Sequence, residues 1–156
     1  MDHELQRFVE AQDQGDTYER ALAELRAGRK TSHWMWFVFP QIAGLGRSEM
    51  SRRYAIASLE EARAYLEHPL LGARLVECAQ ALLQHEGLSA REIMGEIDAI
   101  KLRSSMTLFS QAVRIASPRR ASDSDAFRGL DEIEVFEQVL QRYFGGEPDA
   151  ATLRLI

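Results

Sequence analysis

Two segments of this chain hold groups able to bind or activate a ligand. The first, Arg29-Lys30-Thr31-Ser32-His33-Trp34-Met35-Trp36-Phe37-Val38-Phe39-Pro40-Gln41, gathers both tryptophans with two phenylalanines, a histidine and two cations. Large aromatic area set directly after polar groups is the composition of a rigid wall beside a polar pocket. His33 is the natural acid–base candidate, because an imidazole changes charge near neutrality. The second segment, Asp98-Ala-Ile-Lys101-Leu-Arg103-Ser104-Ser105-Met-Thr107-Leu-Phe109, places Lys101 three residues before Ser104 and four before Ser105. On a helix that spacing puts an ammonium and two hydroxyls on one surface, with Asp98 one turn back on the same side. Such a group suits a phosphate, a ribose or a carboxylate. The competing explanation is structural: small hydroxyl residues permit close helix packing while Lys101 pairs with Asp98. The chain has two lysines against seventeen arginines, and they fall at 30 and 101, one in each segment.

A third stretch, Gly44-Leu45-Gly46-Arg47-Ser48, is similar to a fragment of a phosphate loop but lacks the Gly-Lys-Ser/Thr ending and the preceding strand. Its two glycines let backbone approach a ligand, and a helix start capped by Ser48 offers free amides to an anion. A plain flexible turn explains the same residues. Other chemistries find no support. Ser32-His33 has no orienting acid, and Lys101-x-x-Ser104 reverses the Ser-x-x-Lys order, which argues against a serine hydrolase. His3, His33, His68 and His85 show no metal-ligand spacing, so neither a metal nor a cofactor is implied. His68-Pro69 reads as a helix C-terminus where the ring meets free carbonyls, and Cys78 reads as inert core.

These groups need a frame, and 156 residues with 46% hydrophobic content suffice for one globular domain spanning 1–156. The lone cysteine rules out an internal disulfide, and the start of the chain lacks the apolar run of a signal peptide. A soluble, cytoplasmic protein without membrane association is expected, since no stretch nears the roughly 18 to 20 apolar residues that cross a bilayer. The net charge of −5 argues against nucleic-acid binding by the whole surface. It is unevenly spread: Arg26, Arg29, Lys30, Arg47, Arg52 and Arg53 against Glu49 alone give residues 26–53 a net +5, leaving −10 elsewhere. That basic patch is either an anion-binding face or a set of arginines paired with acidic helices.

The frame reads as helix after helix, hence an all-α bundle. Leu5, Phe8 and Val9 mark a first amphipathic helix; Asp16-x-x-Glu19 opens a second, with Tyr18, Ala21, Leu22 and Leu25 on one face and Gly28 as its stop. Ser58-x-x-Glu61 opens a helix that reaches Pro69. Leu71, Leu75, Cys78 and Leu82 stripe the next, and Ser89-x-x-Glu92 is a further capping box. Ile97 to about Ala116 reads as a long central helix, Leu130 to Phe144 as another, ended by Gly145-Gly146 before a short tail with Leu153 and Leu155. Irregular loops are expected at 40–48, with Ser48 capping a short helix that includes Met50 and Tyr54, and at 117–129.

Several motifs together carry a family resemblance. Arg-Ala-Gly-Arg-Lys-Thr-Ser-His-Trp-Met-Trp-Phe-Val-Phe-Pro-Gln at 26–41, Gly-Leu-Gly-Arg-Ser at 44–48, Arg-Tyr-Ala-Ile at 53–56, Tyr-Leu-x-His-Pro-Leu-Leu-Gly-x-Arg-Leu at 65–75, the 98–109 segment and Tyr-Phe-Gly-Gly at 143–146 resemble the bacterial domain-of-unknown-function family 1810. The likeness covers nearly the whole chain, and Ser-His-Trp-Met-Trp is its most specific element. It implies a compact helical domain of unestablished biochemistry. Some members are labelled calpastatin, yet calpastatins act through disordered repeats, and this chain has neither repeats nor that composition. Glu96-Ile97-Asp98 stands where the family pattern leads one to expect Pro-Asp-Asp or similar, so position 97 contributes no acid here.

The resemblance marks Arg29, Lys30, Ser32, His33, Trp34, Trp36, Phe37, Pro40, Gln41, Gly44, Gly46, Ser48, Tyr54, His68, Lys101, Ser104, Ser105 and Thr107, and the two segments are expected to meet in space. The expected site is a pocket walled by Trp34, Trp36 and Tyr54. In it Lys30, Arg47 and Lys101 hold an anionic group, while Ser32, Gln41, Ser48, Ser104 and Ser105 orient a polar body. A small anionic, nucleotide or ADP-ribose-like ligand fits this mixture of stacking and charge. If the ligand is hydrolysed, His33 and Asp98 are the acid–base pair, as in small helical glycohydrolases of ADP-ribose derivatives, an analogy of architecture alone. The alternative is a protein-interaction or regulatory module, monomer or homodimer, in which exposed tryptophans anchor a partner. Burial of Trp34 and Trp36 separates the two.

Overall fold

The computed structural model describes residues 4–114 and 125–156, the side chains of 125–133 excepted. Among these residues the chain is all-α, and no strand forms. The helices are α1 (Gln6–Asp13), α2 (Thr17–Ala27), α3 (Met35–Val38), α4 (Glu49–Arg53), α5 (Leu59–Glu67), α6 (Leu71–Leu83), α7 (Ala90–Met94), α8 (Glu96–Ala112), α9 (Asp125–Phe144) and α10 (Ala150–Leu155). Helix α8 lies at the centre, against α5, α7, α9 and α10, and α6 completes the bundle against α2, α5 and α9. Because neighbours cover several of its faces, α8 buries polar as well as apolar residues: Leu102, Met106 and Phe109 are fully buried, and so are Ser105 and Thr107.

Local signals decide where the helices begin. Ser89 and Glu92 form a complete capping box, and the α6 stripe Leu71, Leu75, Cys78 and Leu82 is at most 1% exposed. Ser58 accepts from the Glu61 amide at 3.1 Å, but the Glu61 carboxylate turns to the Ala57 amide at 2.7 Å instead of closing a box. Asp16 departs from expectation. It sits at φ 43°, in the left-handed region, and makes no capping bond, because a capping side chain needs extended backbone behind it. His68 departs too: its Nδ1 accepts from the amides of Leu70 and Leu71 at 3.1 and 3.2 Å, so the ring caps the start of α6 rather than the carbonyls of α5. The expected 117–129 loop falls largely outside the described residues, and α9 begins at Asp125, inside that span.

Aromatic contacts link the cleft described below to the far side of the bundle. Ring centroids run Tyr54–Phe8 at 5.8 Å, Phe8–Tyr65 at 5.2 Å, Tyr65–Phe109 at 5.3 Å and Phe109–Phe136 at 5.9 Å. The 40–56 stretch is irregular yet pinned. Ile42 and Ile56 form a parallel bridge in which Ala43 N–H donates to Ile56 O and Ile56 N–H to Gln41 O, both at 2.8 Å. Arg7 reaches across from α1 to the carbonyls of Arg53 and Ala55 at 2.9 and 2.8 Å. No helix among the described residues is long and apolar enough to cross a membrane.

Candidate functional site

The first segment is shaped by the way α2 ends. Gly28 takes φ 79°, so its amide bonds Leu25 O at 3.1 Å and the Arg29 amide bonds Glu24 O at 3.0 Å, reversing the chain. Residues 31–34 then fold back over the Glu24 side chain. Glu24 Oε1 accepts from Thr31 N at 2.8 Å, Ser32 N at 3.1 Å and Trp34 Nε1 at 2.9 Å, while Oε2 accepts from Ser32 Oγ at 2.5 Å. Burial alone would raise this carboxyl, but the bonds from Ser32, Thr31 and Trp34 outweigh it and hold the group at about 2. Trp34 is 1% exposed and packs in the core against Phe39 at 6.3 Å. It is a structural anchor and not a pocket wall.

The two lysine segments meet, as expected. Lys30 Nζ contacts Asp98 Oδ2 at 2.9 Å and donates to Ser32 O at 2.6 Å; it lies 4.9 Å from the Trp34 ring centroid, with a side chain only 7% exposed. Its ammonium is therefore consumed internally, and its backbone amide bonds Ile93 O at 2.7 Å, fixing the segment to α7. Lys101 shares the same carboxylate at a longer 3.9 Å, covers the Trp36 ring at 5.3 Å and is 24% exposed.

Lys101 faces a small cleft, open to solvent, that is lined by Met35, Trp36, Phe39, Gln41, Ser51 and Tyr54 besides the lysine. Gln41 and Ser51 also line a larger neighbouring trough with Ile42, Ala43, Gly44, Gly46, Arg52 and Ala55. The two are thus adjoining compartments with a shared boundary. Trp36 differs from Trp34 in its polar atom: Nε1 is buried with no hydrogen-bond partner among the described residues.

Of the expected site residues, Trp36, Gln41, Tyr54 and Lys101 line this cleft, and Asp98 lies behind Lys101. The others are elsewhere. Lys30 and Ser32 are bound to Asp98 and Glu24, and Trp34 is core. His33 and Arg47 stand exposed outside the cleft, and His33 forms no pair with Asp98, whose carboxylate is occupied by the two lysines. Ser48 caps α4, accepting from Ser51 N at 3.1 Å. Ser104 donates to Asp149 Oδ2 at 3.0 Å, docking α10, and Ser105 is fully buried with no hydrogen-bond partner for its hydroxyl among the described residues. Thr107 joins the α10 attachment by accepting from the Asp149 amide at 2.8 Å. The hydroxyls of the second segment therefore serve packing.

Sequence reasoning missed Glu24 and Ser51, and it held Arg52 only as one member of the basic patch. Nothing distinguishes Glu24 from other helix acids until its four donors are seen. Ser51 carried a faint signal in Gly46: a Cβ there would lie 2.4 Å from the Ser51 Cβ, so the two must be close-packed. No group of three or more potential metal ligands clusters among the described residues.

Fold and site together define a small all-helical protein in which two lysines converge on one aspartate beside an aromatic cleft. The chain belongs to the family described as proteins of unknown function, DUF1810, whose model matches residues 2–156. It is similar to the crystal structure of the conserved hypothetical protein Rv1873 from Mycobacterium tuberculosis, with 47% identity, a TM-score of 0.83, and coverage of 99% of this chain and 96% of that one. Comparison with curated proteins gives no match.

Proposed function

We propose that this protein binds a small anionic ligand in the cleft between α3, the 41–46 loop, α4 and α8. The observation that carries this reading is Lys101: a partly exposed ammonium, only loosely paired with Asp98, lining a cleft together with Trp36, Gln41, Ser51 and Tyr54. An aromatic wall with a few convergent polar groups and one charged residue is the usual make-up of a small-ligand site. The anionic head sits at Lys101 at the mouth of the cleft, and the body of the ligand lies along the neighbouring trough. A nucleotide or ADP-ribose-like molecule needs both. Binding, not hydrolysis, is the activity supported, because the lining supplies a cation, an amide, a hydroxyl and a phenol.

The test is a thermal-shift titration with inorganic phosphate, AMP and ADP-ribose, repeated on Lys101→Ala. A ligand at one hundred times its Kd adds about 2.7 kcal/mol, a rise of about 5–10 °C for a domain of this size. The variant should keep its own melting temperature within a few degrees, since a long, partly exposed pair contributes at most about 1 kcal/mol. It should lose the ligand shift. A shift that persists in Lys101→Ala sinks the proposal.

A second reading, an interaction module, draws on Ile97 and Ile100, which are 70% and 61% exposed one helical turn apart on α8. Analytical ultracentrifugation across a concentration range tests self-association through that face, and Ile97→Asp should abolish it.

A further inference from the structure

We infer that the ligand head in this cleft carries one negative charge, as a carboxylate or a phosphodiester, and that the site disfavours a phosphate-monoester dianion. This rests on the anion-binding reading above and adds the charge count.

Lys30, Lys101 and Asp98 form a closed group with a net charge of +1. Asp98 cannot serve both lysines equally: Lys30 holds it at 2.9 Å and is 7% exposed, whereas Lys101 stands off at 3.9 Å and is 24% exposed. The unmatched positive charge therefore resides on Lys101, the member that lines the cleft. Arg52 adds little to this count, since it is exposed in the neighbouring trough and its charge is screened by solvent and salt.

A single unmatched charge selects for ligand charge through simple scaling. The desolvation cost of an ion grows with the square of its charge, while its attraction to a fixed site charge grows only linearly. Doubling the ligand charge doubles the gain and quadruples the cost. Without Asp98 the group would carry +2; its carboxylate, 3.9 Å from the Lys101 ammonium, brings the count down to +1. A monoanion matches this arrangement and a dianion exceeds it. Carboxylates and phosphodiesters are monoanions whose oxygens can meet the Lys101 ammonium. Asp98 is thus a specificity-determining residue that acts through Lys101.

Three probes with the same ring isolate the head group: benzoate, phenyl methyl phosphate and phenyl phosphate, titrated calorimetrically at pH 7.5, where a phosphate monoester is mostly dianionic because its second pKa is about 6. The wild-type protein should bind benzoate and the diester about tenfold more tightly than phenyl phosphate. Lys101→Ala should lose all three. Asp98→Asn raises the site charge to +2 and should shift the preference toward phenyl phosphate by about tenfold. Should that variant unfold because Lys30 loses its partner, the wild-type comparison of diester with monoester still decides the matter. Lys101-dependent binding that favours phenyl phosphate, or Lys101-dependent binding of AMP alone, overturns the charge selection and leaves the anion site standing. No Lys101-dependent binding of any of these anions overturns both.

Discussion

Replacing Glu24 with Gln should loosen the whole 29–34 segment, and the size of the effect follows from the four hydrogen bonds the carboxylate accepts. Its ordinary value of 4.5 falls to about 2 in the fold. At about 1.36 kcal/mol for each pH decade, that gap corresponds to about 3 kcal/mol of preferential stabilisation of the charged form. Solvent at this half-buried position reduces it to about 2 kcal/mol. The sign is that of a depressed acid: the contribution is complete above pH 4.5 and disappears as the pH falls from 4.5 to about 2. Glutamine keeps one acceptor oxygen for Thr31, Ser32 and Trp34 but loses the charge and presents an amide to Ser32 Oγ. Urea denaturation of wild type and Glu24→Gln should therefore differ by about 2 kcal/mol at pH 7, equivalent to a melting difference of about 4–8 °C. The two should converge as the pH approaches 2. Taking the difference between the proteins cancels the other carboxylates, which titrate in both. Equal stability at pH 7, or a gap that survives undiminished at pH 2, would refute the claim that the charged carboxylate organises the segment.

Two further substitutions probe the frame. Trp34→Ala empties a core position that is 1% exposed and removes a donor from Glu24, so a loss of about 3–5 kcal/mol in chemical denaturation is expected. Gly72→Ala puts a methyl group 2.1 Å from the Leu66 carbonyl oxygen, a backbone atom that cannot move aside cheaply. It should cost at least about 2 kcal/mol by the same measurement, even though alanine is the better helix former.

Periodicity made the helical frame legible because apolar spacing and helix punctuation agree along most of the chain. Gly28, the Ser89–Glu92 box and the α6 stripe are all local signals, each read within a single helix or its end. Asp16 and His68 escaped the same logic, since the first depends on a left-handed backbone and the second on which helix the ring turns toward. The meeting of Lys30 with Asp98 was legible as the convergence of two unusual segments. What remained hidden was the division of labour within each segment, which tertiary neighbours impose.

That division has a geometric cause. Trp34 precedes α3 at φ −136°, where the backbone is not helical, and Trp36 stands inside the helix, so the two rings leave the chain in different directions. One ring goes to the core, its N–H bound to Glu24, and the other goes to the cleft with its N–H unmatched. On α8 the neighbours Ser104 and Ser105 are separated by about 100°. That is a small angle on a surface helix, where both would share the Lys101 face. At the centre of a bundle it is enough to send Ser104 to α10, Ser105 into the core and Lys101 to the cleft. The sequence places a cation and two hydroxyls on one stripe, and the central position of α8 spends the hydroxyls on its neighbours. Only the longest side chain of the stripe still reaches the cleft, which is why Lys101 is the residue on which binding should depend.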